Sequence, residues 1–125
     1  MGTTKRISEA EWIVMKIIWK EFPLTAAAVI KYLEGKMAWH PKTVKTLLHR
    51  LVAKHILGTE KQGREYLFRP LISEAQCVKT EAQSFMNRVF DGALHPMLVH
   101  FVKNERLSKN EIQELQKILR DKKGG

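Results

Sequence analysis

Two strand-like runs, 57–61 and 65–69, meet at Gln62-Gly63-Arg64 in a chain whose remaining pattern is helical. A glycine-containing join between such runs predicts a β-hairpin. A lone hairpin offers too little apolar face to be stable by itself, so this one has to lie on the helices around it. The order of those helices then decides the fold.

Ser8-Glu9-Ala10-Glu11 has the S-x-x-E spacing of a capping box, and Trp12, Met15, Ile18 and Trp19 follow at helical spacing, which predicts a helix over 8–20. Phe22-Pro23-Leu24 breaks it. Thr25 opens an Ala-rich second helix with Ala26, Val29, Ile30 and Leu33 as its stripe, ended by Gly35. Pro41 suits the first turn of a third helix, where a missing N–H is harmless, and Val44, Leu47, Leu48 and Leu51 repeat at i, i+3, i+4, i+7. After the hairpin, Val78, Ala82, Phe85 and Val89 mark a fourth helix from Ser73 to the turn at Asp91-Gly92. A fifth covers 94–103. Ser108 to Glu111 is a second capping box, opening a sixth helix with Ile112, Leu115, Ile118 and Leu119 inward. The expected fold is mostly α with a small β-hairpin: an N-terminal winged helix-turn-helix over 1–72 and a helical region over 73–125.

The charge is uneven. The 125 residues hold 22 Lys and Arg against 13 Asp and Glu, a net charge of +9. Residues 1–72 carry 13 cations and 6 acids, a net of +7, which points the first region at a polyanion. Between Glu34 and Glu60 there is no acid, while Lys36, Lys42, Lys45, Arg50 and Lys54 all fall there. At 100° per residue, the third helix turns its apolar stripe one way and Lys42, Thr46, His49 and Ala53 the other, with Lys45 and Arg50 on the flanks. Such a face fits a major groove, where Lys and Arg bond guanine and a Thr methyl meets the thymine methyl. Thr43, at the helix start, joins this set. Lys61 and Arg64 stand at the wing tip, placed for backbone or minor-groove contact. The competing readings are a solvated helix face and a hairpin that caps the core through Tyr66 and Phe68.

Other classes find less support. Lys16, Lys20, Lys31, His95 and His100 interrupt every apolar run short of the ~20 residues a membrane span needs, so no membrane insertion is expected. The opening Met-Gly-Thr-Thr-Lys-Arg lacks a signal peptide's apolar stretch, and Arg6 stands where a myristoylation motif has Ser or Thr. A cytoplasmic location is the expectation. Cys77 is the single cysteine, read as a small packed residue, and the histidines lack neighbouring ligands at metal spacing. No metal site, cofactor motif or catalytic constellation is found, and enzyme is the least favoured class.

The stretch from Ile7 to Met15 with Trp19, and Trp39-His40-Pro41-Lys42-Thr43-Val44-Lys45-Thr46 continuing to Leu51, resembles the penicillinase-repressor family (BlaI/MecI/CopY) over about 7–119. The resemblance implies a homodimeric repressor whose winged helix binds double-stranded DNA at an inverted-repeat operator, often with TACA/TGTA half-sites. Lys42, Thr43, Lys45, Thr46 and Arg50 match the family's recognition helix. Where members commonly have a Ser N-cap, this chain has His40, and an imidazole caps less well, by ~1 kcal/mol. In the antibiotic-responsive branch, a membrane sensor's signal leads to cleavage at an Asn-Phe bond; His100-Phe101 is the matching pair. The copper branch's Cys-x-Cys motif is missing.

Independently, the three C-terminal helices carry more apolar surface than so small a unit can bury. A second copy covering Phe85, Val89, Leu94, Leu98, Phe101 and Leu115 is the simplest solution, and folding back on the N-terminal core is the alternative. Removal of everything after Arg69 is accordingly expected to leave a monomer. Two rivals to the repressor stay open: a winged-helix protein-interaction module, and a non-specific nucleic-acid binder.

Overall fold

The computed structural model describes residues 6–124; the first five residues, on which the leader and myristoylation readings partly rest, lie outside the described residues. The element order is α1 (Glu9–Lys20), β1 (Leu24–Thr25), α2 (Ala26–Leu33), α3 (Pro41–Ala53), β2 (Leu57–Gln62), β3 (Glu65–Pro70), α4 (Glu74–Phe90), α5 (Leu94–Asn104) and α6 (Lys109–Gly124). The chain forms two compact units, Met1–Ala82 and Gln83–Gly125. The division falls inside α4.

In the first unit, three helices and a sheet close over one core. Val14, Met15 and Ile18 from α1 meet Val29 and Leu33 from α2 and Val44, Leu47, Leu48 and Leu51 from α3, with Ile56, Leu57 and Phe68 contributed by the hairpin side. Each such side chain contributes roughly 1.5–3 kcal/mol on leaving water. The hairpin pairs antiparallel from Leu57↔Pro70 to Gln62↔Glu65. The sheet has a third strand that the sequence reading lacked: β1 pairs with β3 through Leu24↔Phe68 and Thr25↔Leu67, giving the order β1-β3-β2. Two residues are too few to show a period, so this strand exists only through its pairing.

The root of α4 belongs to this core. Trp19 Nε1 donates to Ile72 O at 3.0 Å, Lys16 pairs with Glu74, and Cys77 is buried. Burial pushes the Cys77 thiol pKa up, as for a packed residue. A cut after Arg69 therefore removes Ile72 and Cys77 from the core, and a cut after Ala82 is the one that respects the unit.

The second unit is different. No residue of α5 or α6 is buried. Ile112, Leu115, Ile118 and Leu119 face outward, Leu119 being 61% exposed, where the sequence reading had them inward. Periodicity identified the stripe correctly, but among the described residues no element of the second unit covers it. The aromatic contacts Phe85–Phe101 and Phe90–His100, both at 6.2 Å, join α4 to α5.

One buried carboxylate organises the first unit. Glu11 is 1% exposed and completes the capping box of α1: its Oε1 accepts from Ser8 N at 2.8 Å, while Glu11 N donates to Ser8 Oγ at 3.2 Å. The same Oε1 accepts from Lys54 Nζ at 2.5 Å, and Lys54 Nζ also donates to Arg6 O at 2.8 Å. Lys54, counted in the basic run by sequence, is thus an internal tie at the end of α3. Burial pushes the Glu11 carboxyl pKa up, and the Lys54 hydrogen bond, the Ser8 N–H and the Lys54 charge together bring it below the ordinary value. Oε2 is buried with no hydrogen-bond partner among the described residues.

Lys54→Ala leaves that carboxylate buried without its cation, and denaturant unfolding is expected to show a loss of about 3–5 kcal/mol. Lys16→Ala, breaking an exposed pair, should cost about 1 kcal/mol or less. Because the folded Glu11 pKa is depressed, its contribution is full above the ordinary glutamate value of about 4.3 and is lost as pH falls through the lower folded value. In Lys54→Ala this part of the acid limb should flatten.

Candidate nucleic-acid interface

Polar contacts fix the start of α3. His40 has extended backbone (φ −67°, ψ 146°), its Nδ1 accepts from Lys42 N at 3.0 Å, and Pro41 occupies the first turn. The bond requires an Nδ1 without a proton, so the ring carries its hydrogen on Nε2. The imidazole therefore caps the start of α3.

The inward side of α3 is Val44, Leu47, Leu48 and Leu51, all buried. The outward side exposes Lys42, Thr43, Lys45, Thr46, His49 and Arg50, the whole helix set read from the sequence. Thr46 Oγ1 donates to Lys42 O at 2.9 Å, which leaves its methyl and an oxygen lone pair for a ligand. Lys45 and His49 line a cleft toward the hairpin, whereas Lys42 and Arg50 lie outside that lining.

The hairpin tip is Gln62-Gly63-Arg64-Glu65, with Gly63 at φ 64°. Glycine is needed there for its backbone, because a Cβ would meet nothing within 4 Å. Lys61 and Arg64 are exposed on this tip.

Four cations of the first unit are held in ion pairs. Arg6 pairs with Glu81, Lys16 with Glu74, Lys54 with Glu11 and Arg69 with Glu60. The side chains of Lys42, Lys45, Arg50, Lys61 and Arg64 have no partner among the described residues. Unpaired cations gathered on a helix face and a wing are an electrostatic footprint for phosphates. Among the described residues no three His, Cys, Asp or Glu side chains are grouped to hold a metal, and no helix is long and apolar enough to cross a membrane.

Tyr66 departs from the sequence reading. It is 52% exposed and does not cap the core. Phe68, two residues on and buried, shares its face of β3, but the core ends before Tyr66, which overhangs the cleft beside α3. Thr25, the N-cap of α2, lines the same cleft. Alternation along β3 was the available signal for Tyr66; where the core stopped was not.

The family model for the penicillinase repressor matches residues 7–121. The chain belongs to the penicillinase-repressor family. A penicillinase repressor from Bacillus licheniformis is 41% identical over 98% of this chain and 96% of its own length. The methicillin resistance regulatory protein MecI of Staphylococcus aureus (strain N315) is 34% identical over 95% of this chain and 97% of its own. The solution structure of the DNA-binding domain of the repressor BlaI matches with a TM-score of 0.54 at 41% identity, covering 60% of this chain and 92% of that domain. The monomeric form of Bacillus licheniformis BlaI, in complex with the blaP half-operator, matches with a TM-score of 0.52 over the same shares. The fold of this family member is thus that of a winged-helix DNA-binding domain, and the family consists of repressors, not enzymes.

His40→Ala is expected to lower the stability of this penicillinase-repressor chain by about 1 kcal/mol, and His40→Ser to restore it, because a hydroxyl accepts the same N–H. Equal stability of all three in denaturant melts would show that the imidazole contributes nothing to the cap.

Proposed function

We propose that the chain is a DNA-binding transcriptional repressor that acts as a homodimer on an inverted-repeat operator of resistance-type genes. The observation that carries the reading is the set of unpaired cations on α3 and the wing, within a family of repressors. In this reading Lys42, Thr43, Lys45, Thr46, His49 and Arg50 enter the major groove, and Lys61 and Arg64 hold the backbone from the wing. Its ligand places its work in the cytoplasm.

The 1–72 part reads DNA, with the first turns of α4 packed on it, and the rest of 73–125 holds two copies together. What supports the dimer is the absence of any buried residue in α5 and α6, with Val89, Leu94, Leu98, Phe101 and Leu115 all exposed and Phe85 partly so. Release is assigned to cleavage at His100-Phe101 under a membrane sensor's control. This bond lies within α5, with Phe101 41% exposed, so the helix has to open locally before a protease can hold it extended.

Selection of duplexes from a random library at physiological salt should recover an inverted repeat loaded with two chains. On that duplex, Lys42→Ala or Arg50→Ala should weaken binding by about 1–3 kcal/mol if the side chain meets a base. If it meets a phosphate, the loss should be equal on random DNA, with the salt slope reduced by about one. Unchanged affinity in both variants would remove this face from the interface.

A chain ending at Ala82 should sediment as a folded monomer and bind the repeat far more weakly, since joining two half-site readers multiplies affinity through effective concentration. A dimeric 1–82 chain would move the interface out of the second unit.

A further inference from the structure

We infer that the cleft between α3 and the wing seats the sugar–phosphate backbone of one DNA strand, with Tyr66 as a positioning residue that donates its hydroxyl to a phosphate. The inference rests on the DNA-binding reading above and deepens it.

The cleft has a volume of about 380 Å³. Its walls carry donors: the Lys45 ammonium, the Arg64 guanidinium, the His49 ring and the hydroxyls of Thr25 and Tyr66. Of these, only Thr25 has a hydrogen bond within the described residues, and there its oxygen accepts from Ala28 N at 3.1 Å, so its O–H remains free to donate. Lys61 stands directly across from Tyr66 in the β2–β3 register, which puts a further cation beside the ring on the same sheet face. Glu65 is the one acid in the lining.

The floor is apolar, formed by Ile30, Leu48 and Phe68. That combination selects the occupant. A free anion gains from the donors but has no use for the floor, whereas a nucleotide backbone presents phosphate oxygens and an apolar deoxyribose side by side. Lys45 belongs both to the outward face of α3 and to the cleft wall, so a strand leaving the groove read by α3 passes directly into the cleft. Phosphate contacts of this type fix register and carry no base information.

The test uses the full chain and the selected duplex, with single phosphates replaced by neutral methylphosphonates. Tyr66→Phe, which keeps the ring and removes only the hydroxyl, should lower affinity by about 2- to 10-fold. The loss should be equal on selected and random duplexes, with no change in the sequence recovered. Tyr66→Ala should lose more. One methylphosphonate per half-site should weaken the unaltered protein and have no further effect on Tyr66→Phe.

The inference is overturned if both Tyr66 variants bind like the unaltered chain while Lys42→Ala and Arg50→Ala weaken binding. The cleft is then empty and the DNA reading stands. A changed base preference in Tyr66→Phe also overturns it, by moving the contact to a base. Failure of the unaltered chain to bind any duplex removes the DNA reading itself, and the inference with it.

Discussion

The Glu11 carboxylate is the point on which the DNA-binding unit depends. A single oxygen accepts from Ser8 N at the start of α1 and from Lys54 at the end of α3, and Lys54 reaches on to the backbone of Arg6. One buried charge thereby sets the entry of α1 and the exit of α3 together. With His40 capping the other end, α3 is held by polar contacts at both termini and by four buried aliphatic side chains between them. Its outward face is presented by a helix with little freedom to tilt.

The same economy governs the acids. Glu11 and Glu60 neutralise Lys54 and Arg69, Glu74 neutralises Lys16, and Glu21 bonds the Tyr32 hydroxyl. None of them answers Lys42, Lys45 or Arg50. An acid-free stretch in the sequence becomes, in three dimensions, a surface whose cations have no internal claim on them.

Much of this was legible in the sequence because it is local. Both capping boxes form as the S-x-x-E spacing requires, Pro41 sits in the first turn of α3, and Gly63 takes the turn conformation. The outward residues of α3 follow directly from its apolar stripe. What escaped depends on partners distant in sequence. β1 is defined by β3, more than forty residues away, and Glu11 reads as a cap until Lys54 appears beside it. Tyr66 and Phe68 share a strand face, and only the extent of the core separates a buried ring from an exposed one. In α6 the stripe was right and its direction was not, because periodicity says which residues share a face and nothing about what that face meets.

The unpaired cations also affect the free chain. Folding brings Lys42, Lys45, Arg50, Lys61 and Arg64 onto one small unit whose acids form no ion pair with them, so the bare protein carries a self-repulsion that its unfolded chain largely escapes. A polyanion bound there relieves it and acts as a folding ligand. Added salt then works in opposite directions: it screens the repulsion and steadies the bare chain, while it returns counterions to the nucleic acid and loosens the complex.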